Sequence, residues 1–571
     1  MNRSYKKRKE LKLYLEEEKG AVLVLALLIL VAITVLGIAI LINSTTEVKI
    51  SGNNLTSSEA FYAAESGIQH ALATIKVITE DWTISSDNFT PRLAGATALN
   101  PWVNFLSSGD YVITIKDDND ETGTLDPAKD TNRRIYVRSE SNTSSGAKKV
   151  IEVLVQGYKQ DDLSVWYNAI FSGSGQSGKH IDQKVIIGGC VHLLGENSSG
   201  VQTVPKSGVV MIMGDNATVS NNYNGMAALL KSAIPDLTTA EQSLDAAVRV
   251  KYGKVSLTDK SRLGAPEKTT PYKDFLDGVY ITDGYSKADD LKQVYTDESG
   301  IYNDSVPIDL QSQIKTPSLN NEISPGVTYL NWLSTNSVHI PTLDIDFDDG
   351  AAKYLQDHKS EIESQYPGTT VTADKSSKNF NVTRTDSNGN NHSISWVNNS
   401  RTLTVKGIVT VDGDLDLGSG KDKKDITYIT DNTSINGTTT VGSTIFANQY
   451  GTKTGKIKIH NSMLPAGSKS FAIPSGETLG FIAKNIIEIA VTGADSNLTV
   501  AGAFFAENTI ISGKKNDVAG AFVSNYINLG NDTPSIYMVP KLVTNLPPGL
   551  PGSQRVLIKR PPKFLSWREI Q

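Results

Sequence analysis

Between Ala21 and Ile42 the chain reads AVLVLALLILVAITVLGIAILI, 22 residues without a charge. A helix of that length, rising ~1.5 Å per residue, spans roughly 33 Å, about the thickness of a bilayer core. We read it as a membrane-spanning helix. Before it lie Arg3, Lys6, Lys7, Arg8, Lys9, Lys12 and Lys19 against Glu10, Glu16, Glu17 and Glu18. The positive-inside rule then keeps the N-terminus cytoplasmic and exports everything after residue 42. A secretory signal has a shorter apolar stretch, ~7 to 15 residues, followed by a small-residue cleavage site. Asn43-Ser44-Thr45-Thr46-Glu47 offers no such site.

The apolar pattern does not stop at the membrane. Phe61, Ala64, Ile68, Ala71, Leu72 and Ile75 recur at steps of three and four, so one helix face continues outward. A helix over 21–76 is roughly 80 Å long. On the cytoplasmic side, Lys19-Gly20 abuts the apolar run. Gly20-Ala21-Val22-Leu23-Val24, Thr45-Thr46-Glu47, Ser51-Gly52-Asn53 and Ala60-Phe61-Tyr62-Ala63-Ala64-Glu65 together resemble the N-terminal domain of PilX-type minor pilins, over about residues 16–76.

That resemblance implies a cytoplasmic prepilin-type leader over 1–20. Prepilin peptidase would cut between Gly20 and Ala21, and methylation would follow. It implies assembly with other pilins or minor pilins through a segment holding Leu25, Glu47, Phe61 and Glu65. It further implies a bacterial inner-membrane protein that moves to a cell-surface pilus, where its head meets a polysaccharide, host or abiotic surface. One position departs from the major pilins, which carry Glu at the fifth mature residue. Here that residue is Leu25, which favours an initiating or tip role over a shaft role.

After the helix the chain predicts a mainly β protein. Residues 77–160 read as a small α+β pilin-like head, with strands Tyr111 to Ile115, Arg134 to Arg138 and Lys149 to Val155, and a loop over 77–100. From 161 to 545 short β-prone runs alternate with Gly, Asn, Asp and Ser. Phe481, Phe504 and Phe522 open similar motifs 23 and then 18 residues apart. That spacing fits coils of a right-handed parallel β-helix, with Asn448, Asn485 and Asn508 at corners. β-Sandwich domains are the alternative. Helical insertions are expected near 225–251 and 351–400, the second with a hairpin around Asn388-Gly389. Residues 546–571 read as a Pro-rich, basic, extended tail.

Composition narrows the chemistry. The net charge of −6 leaves no basic footprint for nucleic acid. Cys190 is the single cysteine, which excludes an intrachain disulfide and any multi-Cys metal site. Asp118, Asp120 and Thr122 follow the start of a calcium loop, but Lys129 stands where a bidentate Glu belongs. No other cofactor is expected. Asp344, Asp346, Asp348 and Asp349, and then Asp412, Asp414 and Asp416, are the candidate carboxylates of a β-helix carbohydrate enzyme. Turns are rich in Asp for their own reasons, so no enzyme is the expected outcome. An anchored adhesin outside any filament is the other reading. Gly173, Gly178 and Lys179 imitate a phosphate-binding loop, but His180 replaces the Ser or Thr, and the sequel reads as strand.

Overall fold

The structure is a computed structural model of the 571-residue chain. It describes residues 3–80, 89–118, 126–128, 134–156, 161–177, 181–205, 207–234, 244, 246–266, 275–288, 291–296, 301–302, 314–340, 344–346, 350–386, 388–418, 424–431, 434–435, 438–439, 441–466, 478–492, 497–530, 533–553, 556–558 and 563–570. The chain divides into two units: Met1–Gln160 with Arg560–Gln571, and Asp161–Lys559.

The first unit is built on one helix, α1 (Arg3–Glu80), of 78 residues. Over 20–59 no side chain of α1 is buried, and Val22 through Ile42 present their apolar side chains outward. From Ala60 onward one face becomes buried: Ala60, Ala64, Gly67, Ile68, Ala71 and Ile75. This is the 3.6-residue stripe of a helix lying on a sheet, with Phe61 and Leu72 of the expected face packed at its margin. Small residues let the backbone approach closely. A Cβ at Gly67 would sit 2.1 Å from Ser139 Oγ.

The sheet under α1 holds β1 (Val103–Ser107), β2 (Tyr111–Asp117), β3 (Arg134–Ser141) and β4 (Val150–Gln156), antiparallel in that order. β2 to β4 are the three strands legible in the sequence, and β1 was hidden in the irregular run after residue 100. Ile113 and Ile115, Ile135 and Val137, and Ile151, Val153 and Val155 are fully buried and form the core with α1, Phe89 and Leu93. Each such side chain contributes about 1.5 to 3 kcal/mol. The fifth strand comes from the far end of the chain. Lys563–Ile570 pairs antiparallel with β4, from Lys563↔Gln156 to Ile570↔Val150. Where the sequence shows an extended tail, the alternation in KFLSWREI supplies an edge strand.

The second unit is dominated by a 25-stranded sheet. Most of its pairings are parallel and fall into three ladders. The longest runs Val338–Ile340, Ile408–Asp412, Ser443–Asn448, Leu479–Ala483, Thr499–Ser512, Asp517–Asn528, Ile170–Gln176, Val191–Leu193, Ala247–Val250, Gly278–Ile281 and Ile301–Tyr302. A second links Asp344–Asp346, Asp414–Leu417, Ile457–Ile459, Ile486–Ile489 and the later half of Thr499–Ser512. A third links Thr402–Lys406, Ile426–Asp431 and Met463–Pro465.

The order along the longest ladder is not the order of the chain. The first strand, Ile170–Gln176, lies in the middle beside the last, Asp517–Asn528, through Phe522↔Ile170 and Val523↔Phe171. From there the chain builds outward to Tyr302. It resumes at the opposite end with Val338 and builds back to the middle. The segment between these ends is held partway by Glu507, which accepts from Ser318 Oγ at 2.5 Å and from the Leu319 amide at 2.8 Å.

Inside the ladder, Phe481 pairs in register with Phe504, and Phe504 with Phe522. The first two rings stack at 5.1 Å and 6°, and the second pair meets edge to face at 5.4 Å. Farther along Thr499–Ser512, Asn508 Nδ2 donates to Asn485 Oδ1 at 3.2 Å. Asn448 instead lies level with Asp412.

Residues 351–397 form the expected mixture. Helices Ala351–Asp357 and Lys359–Gln365 precede an antiparallel meander of Thr369–Asp374, Asn379–Thr385, Asn391–Val397 and Thr402–Lys406, and Gly389 turns with φ 79°. Much of the other expected insertion, 235–243 and Asp245, lies outside the described residues. Among the described residues of 225–251, Ala228–Ala233 is helix, and Ala247–Val250 is a ladder strand between Val191–Leu193 and Gly278–Ile281. Pairing on both edges overrides the helix propensity of AAVRV.

Candidate functional site

The membrane-proximal part of α1 is the candidate assembly segment. The helix passes through Gly20 and Ala21 without a break, and nothing lies within 4 Å of a Cβ built on Gly20. Glycine costs a helix interior about 1 kcal/mol relative to alanine, so the chain is locally easiest to unwind at the boundary where the resemblance places cleavage. Leu25 is 59% exposed and Glu47 is also exposed. No charge occurs between Ala21 and Ile42, so this surface suits lipid or the apolar face of another helix.

Phe61 and Glu65 belong to a different environment, where α1 meets the sheet. Both are half-buried. The Phe61 ring lies edge-on to Tyr62 at 5.8 Å and to Trp567 of the C-terminal strand at 6.3 Å. Sequence reasoning joined Phe61 to Glu65 on one helix and could not join either to Trp567.

The opposite face of the sheet holds a charge cluster that sequence reasoning missed. Glu152 is 1% exposed. It accepts from Arg138 Nη2 at 2.8 Å and from Arg568 Nε at 2.9 Å. Burial pushes its carboxyl up, but hydrogen bonds from Arg568 and then Arg138 outweigh that and hold it below the usual range. The Arg138 guanidinium also lies 4.0 Å from the centre of the Trp102 ring. Lys149, just before β4, pairs with Glu569 of the C-terminal strand. The signal available in the sequence was the alternation that places Arg134, Tyr136 and Arg138, and Glu152 and Gln156, on one face of strands whose other face is apolar.

The acidic runs come together. Asp344 pairs with Asp414 and Asp346 with Asp416 on adjacent strands of the second ladder, while Asp348 and Asp349 lie outside the described residues. The Asp412, Asp414 and Asp416 side chains are engaged by the fold itself. Asp412 Oδ2 accepts from Tyr366 at 2.9 Å and lies 3.0 Å from His339 Nδ1. Asp414 accepts from the Gly455 and Lys456 amides at 3.1 and 2.9 Å. Asp416 pairs with Lys458 at 3.2 Å. Burial and then the Asp412 charge push the Tyr366 hydroxyl up, so it stays a donor. Among the described residues no group of three or more His, Cys, Asp or Glu is placed to hold a metal ion.

Ser172 to Gln176 is strand, part of Ile170–Gln176, whereas a phosphate loop needs amides at a helix start; Gly178, Lys179 and His180 lie outside the described residues. Asp118 is half-buried after β2, while Asp120 and Thr122 lie outside the described residues. Cys190 is buried, and that burial pushes its thiol up.

Comparison with known proteins bears on α1. The family model described as PilX N-terminal matches residues 19–69. No curated protein sequence matches the chain. Among solved structures, the crystal structure of competence-associated pilin ComZ from Thermus thermophilus is similar at 19% identity and a TM-score of 0.48, over 90% of this chain and 97% of that one.

Proposed function

Because residues 19–69 are a PilX N-terminal domain, we propose that this chain is a minor pilin. It enters or primes a type IV pilus-like filament through α1 and carries the second unit as a displayed head for surface binding. The observation that carries the reading is the division of α1: no buried side chain over 20–59, then a buried stripe from Ala60 to Ile75. The first part suits lipid and afterwards neighbouring helices, and the second suits a fixed head. Leu25 in place of a carboxylate supports a starting or tip position, because the carboxylate of a major pilin needs a subunit ahead of it to pair with.

The N-terminus lies in the cytoplasm, and prepilin peptidase cuts after Gly20. The three parallel ladders and their in-register phenylalanines support reading the second unit as a right-handed parallel β-helix. The hydrogen bonds that the fold places on Asp412 and Asp414 favour display over catalysis. The test is N-terminal sequencing of the mature chain, with in-cell cross-linking from exposed positions such as Glu47. Ala21 as the first residue and cross-links to pilins are the expected result. An intact Met1 in cells with active prepilin peptidase would overturn the reading.

A further inference from the structure

We propose that docking of the C-terminal strand on β4 reports the folding of the second unit, so the head sheet is completed only in chains whose inserted β unit has folded. The argument starts from connectivity. Lys563 pairs with Gln156, and the second unit, Asp161–Lys559, lies between them in the chain. Arg568 and Glu152 are 416 residues apart. While the insertion is unfolded, bringing these strands together closes a loop of that size, and the entropy lost grows with loop length.

Folding of the second unit removes this penalty. Its own ends, Asp161–Leu163 and Val556–Ile558, pair antiparallel with Leu163 opposite Val556. Once they are paired, only residues 157–160 and 559–562 separate the clasp from β4 and its partner strand. The effective concentration of the strand at the β4 edge becomes that of a short tether.

The strand also has little hold of its own. Phe564 is 44%, Leu565 41% and Trp567 53% exposed. The fully buried core of the head comes from α1, Phe89, Leu93 and β2 to β4, with no residue of Lys563–Ile570. Its attachments are the backbone ladder, Arg568 on Glu152, Lys149 on Glu569 and Trp567 at the edge of Phe61. A strand held this way depends on proximity, and the second unit supplies the proximity. The contact it then makes with α1 marks the filament-forming helix of a correctly folded chain.

Hydrogen exchange on the full-length chain in detergent tests this. Phe504→Ala removes a fully buried ring from the core of the second unit. As urea is raised, protection of amides 563–570 is expected to be lost at a midpoint shifted downward by as much as that of 499–512, while 134–141 keeps its midpoint. If 563–570 instead keeps the midpoint of 134–141, the proposal is overturned. Should Phe504→Ala unfold the second unit without urea, exposed 563–570 beside protected 134–141 supports it, and protected 563–570 overturns it. Phe504→Leu gives the same comparison with a smaller shift.

Discussion

Arg568, on the last strand of the chain, donates through Nε to Glu152 Oε1 at 2.9 Å across 416 residues of sequence. Glu152 is buried, so the pair is screened less than an exposed one and also fixes the register of the C-terminal strand on β4. Arg568→Ala leaves Arg138 as the remaining guanidinium on Glu152. We expect the head to lose about 1.5 to 3 kcal/mol, the range for hydrogen bonds to charged groups. Because Glu152 is held below its ordinary value, this stability is present at neutral pH and disappears as pH falls through its titration. Urea melts of wild type and variant at pH 7 and pH 3 measure both; equal differences at the two pH values would contradict the assignment.

Gly67 makes a second prediction, with its own control. Gly→Ala in an exposed helix interior gains about 1 kcal/mol, and Gly52, with nothing within 4 Å of its would-be Cβ, should show that gain. At Gly67 the new methyl meets Ser139 Oγ at 2.1 Å and Tyr111 Cγ at 3.0 Å. Overpacking of this kind costs about 1 to 3 kcal/mol, so Gly67→Ala is destabilising. Ser139→Gly in the same chain removes the clash and should restore most of the loss in a double-mutant cycle.

The pH dependence of the second unit follows from two buried histidines. Burial, then the charges of Arg249 and Lys251, push His192 down to about 3. Burial also lowers His392, whose Nδ1 accepts from the Ile408 amide at 3.2 Å and so holds the ring neutral. A folded value below the unfolded one means full stability above about pH 6.5, lost as pH falls. His192 alone accounts for about 2 kcal/mol between pH 6.5 and pH 5. His192→Leu should flatten the stability profile in that window, and an unchanged slope would rule out this origin.

Cys190 gives a labelling prediction. It is 1% exposed and burial raises its thiol, so the thiolate is scarce and out of reach. Thiol reagents at pH 8 should modify the native chain only at the rate of unfolding. Fast stoichiometric labelling would show that the strands around Cys190 open locally.

What the sequence disclosed and what it concealed divide along range. The helix face from Ala64 to Ile75, strands β2 to β4 and the register of Phe481, Phe504 and Phe522 were legible because each rests on local periodicity or on a repeated motif. The place of Lys563–Ile570 was not, since nothing in an eight-residue alternating run names a partner several hundred residues away. The same holds for the ladder order. Ile170 beside Phe522 is a pairing between the strands that come first and last in sequence along the longest ladder, and no spacing rule reaches that far. The acidic runs were visible as composition, but their partners, Tyr366, Lys458 and the Gly455 amide, come from elsewhere in the fold. Ala247–Val250 shows the reverse case, a local helix preference overruled by two neighbouring strands.

The antiparallel pairing of β4 with the C-terminal strand also decides how the second unit can be lost. That unit is joined to the first through two chain segments, 157–160 and 559–562. A protease cutting the first leaves that unit covalently attached to the C-terminal strand, whose hold on β4 is then the backbone ladder and its ion pairs without the tether. Cutting the second leaves it on the uncut peptide from β4. Releasing the second unit therefore takes two cuts, or a cut in 157–160 followed by undocking of the C-terminal strand from β4, whereas a cut in 559–562 alone leaves it on the uncut peptide.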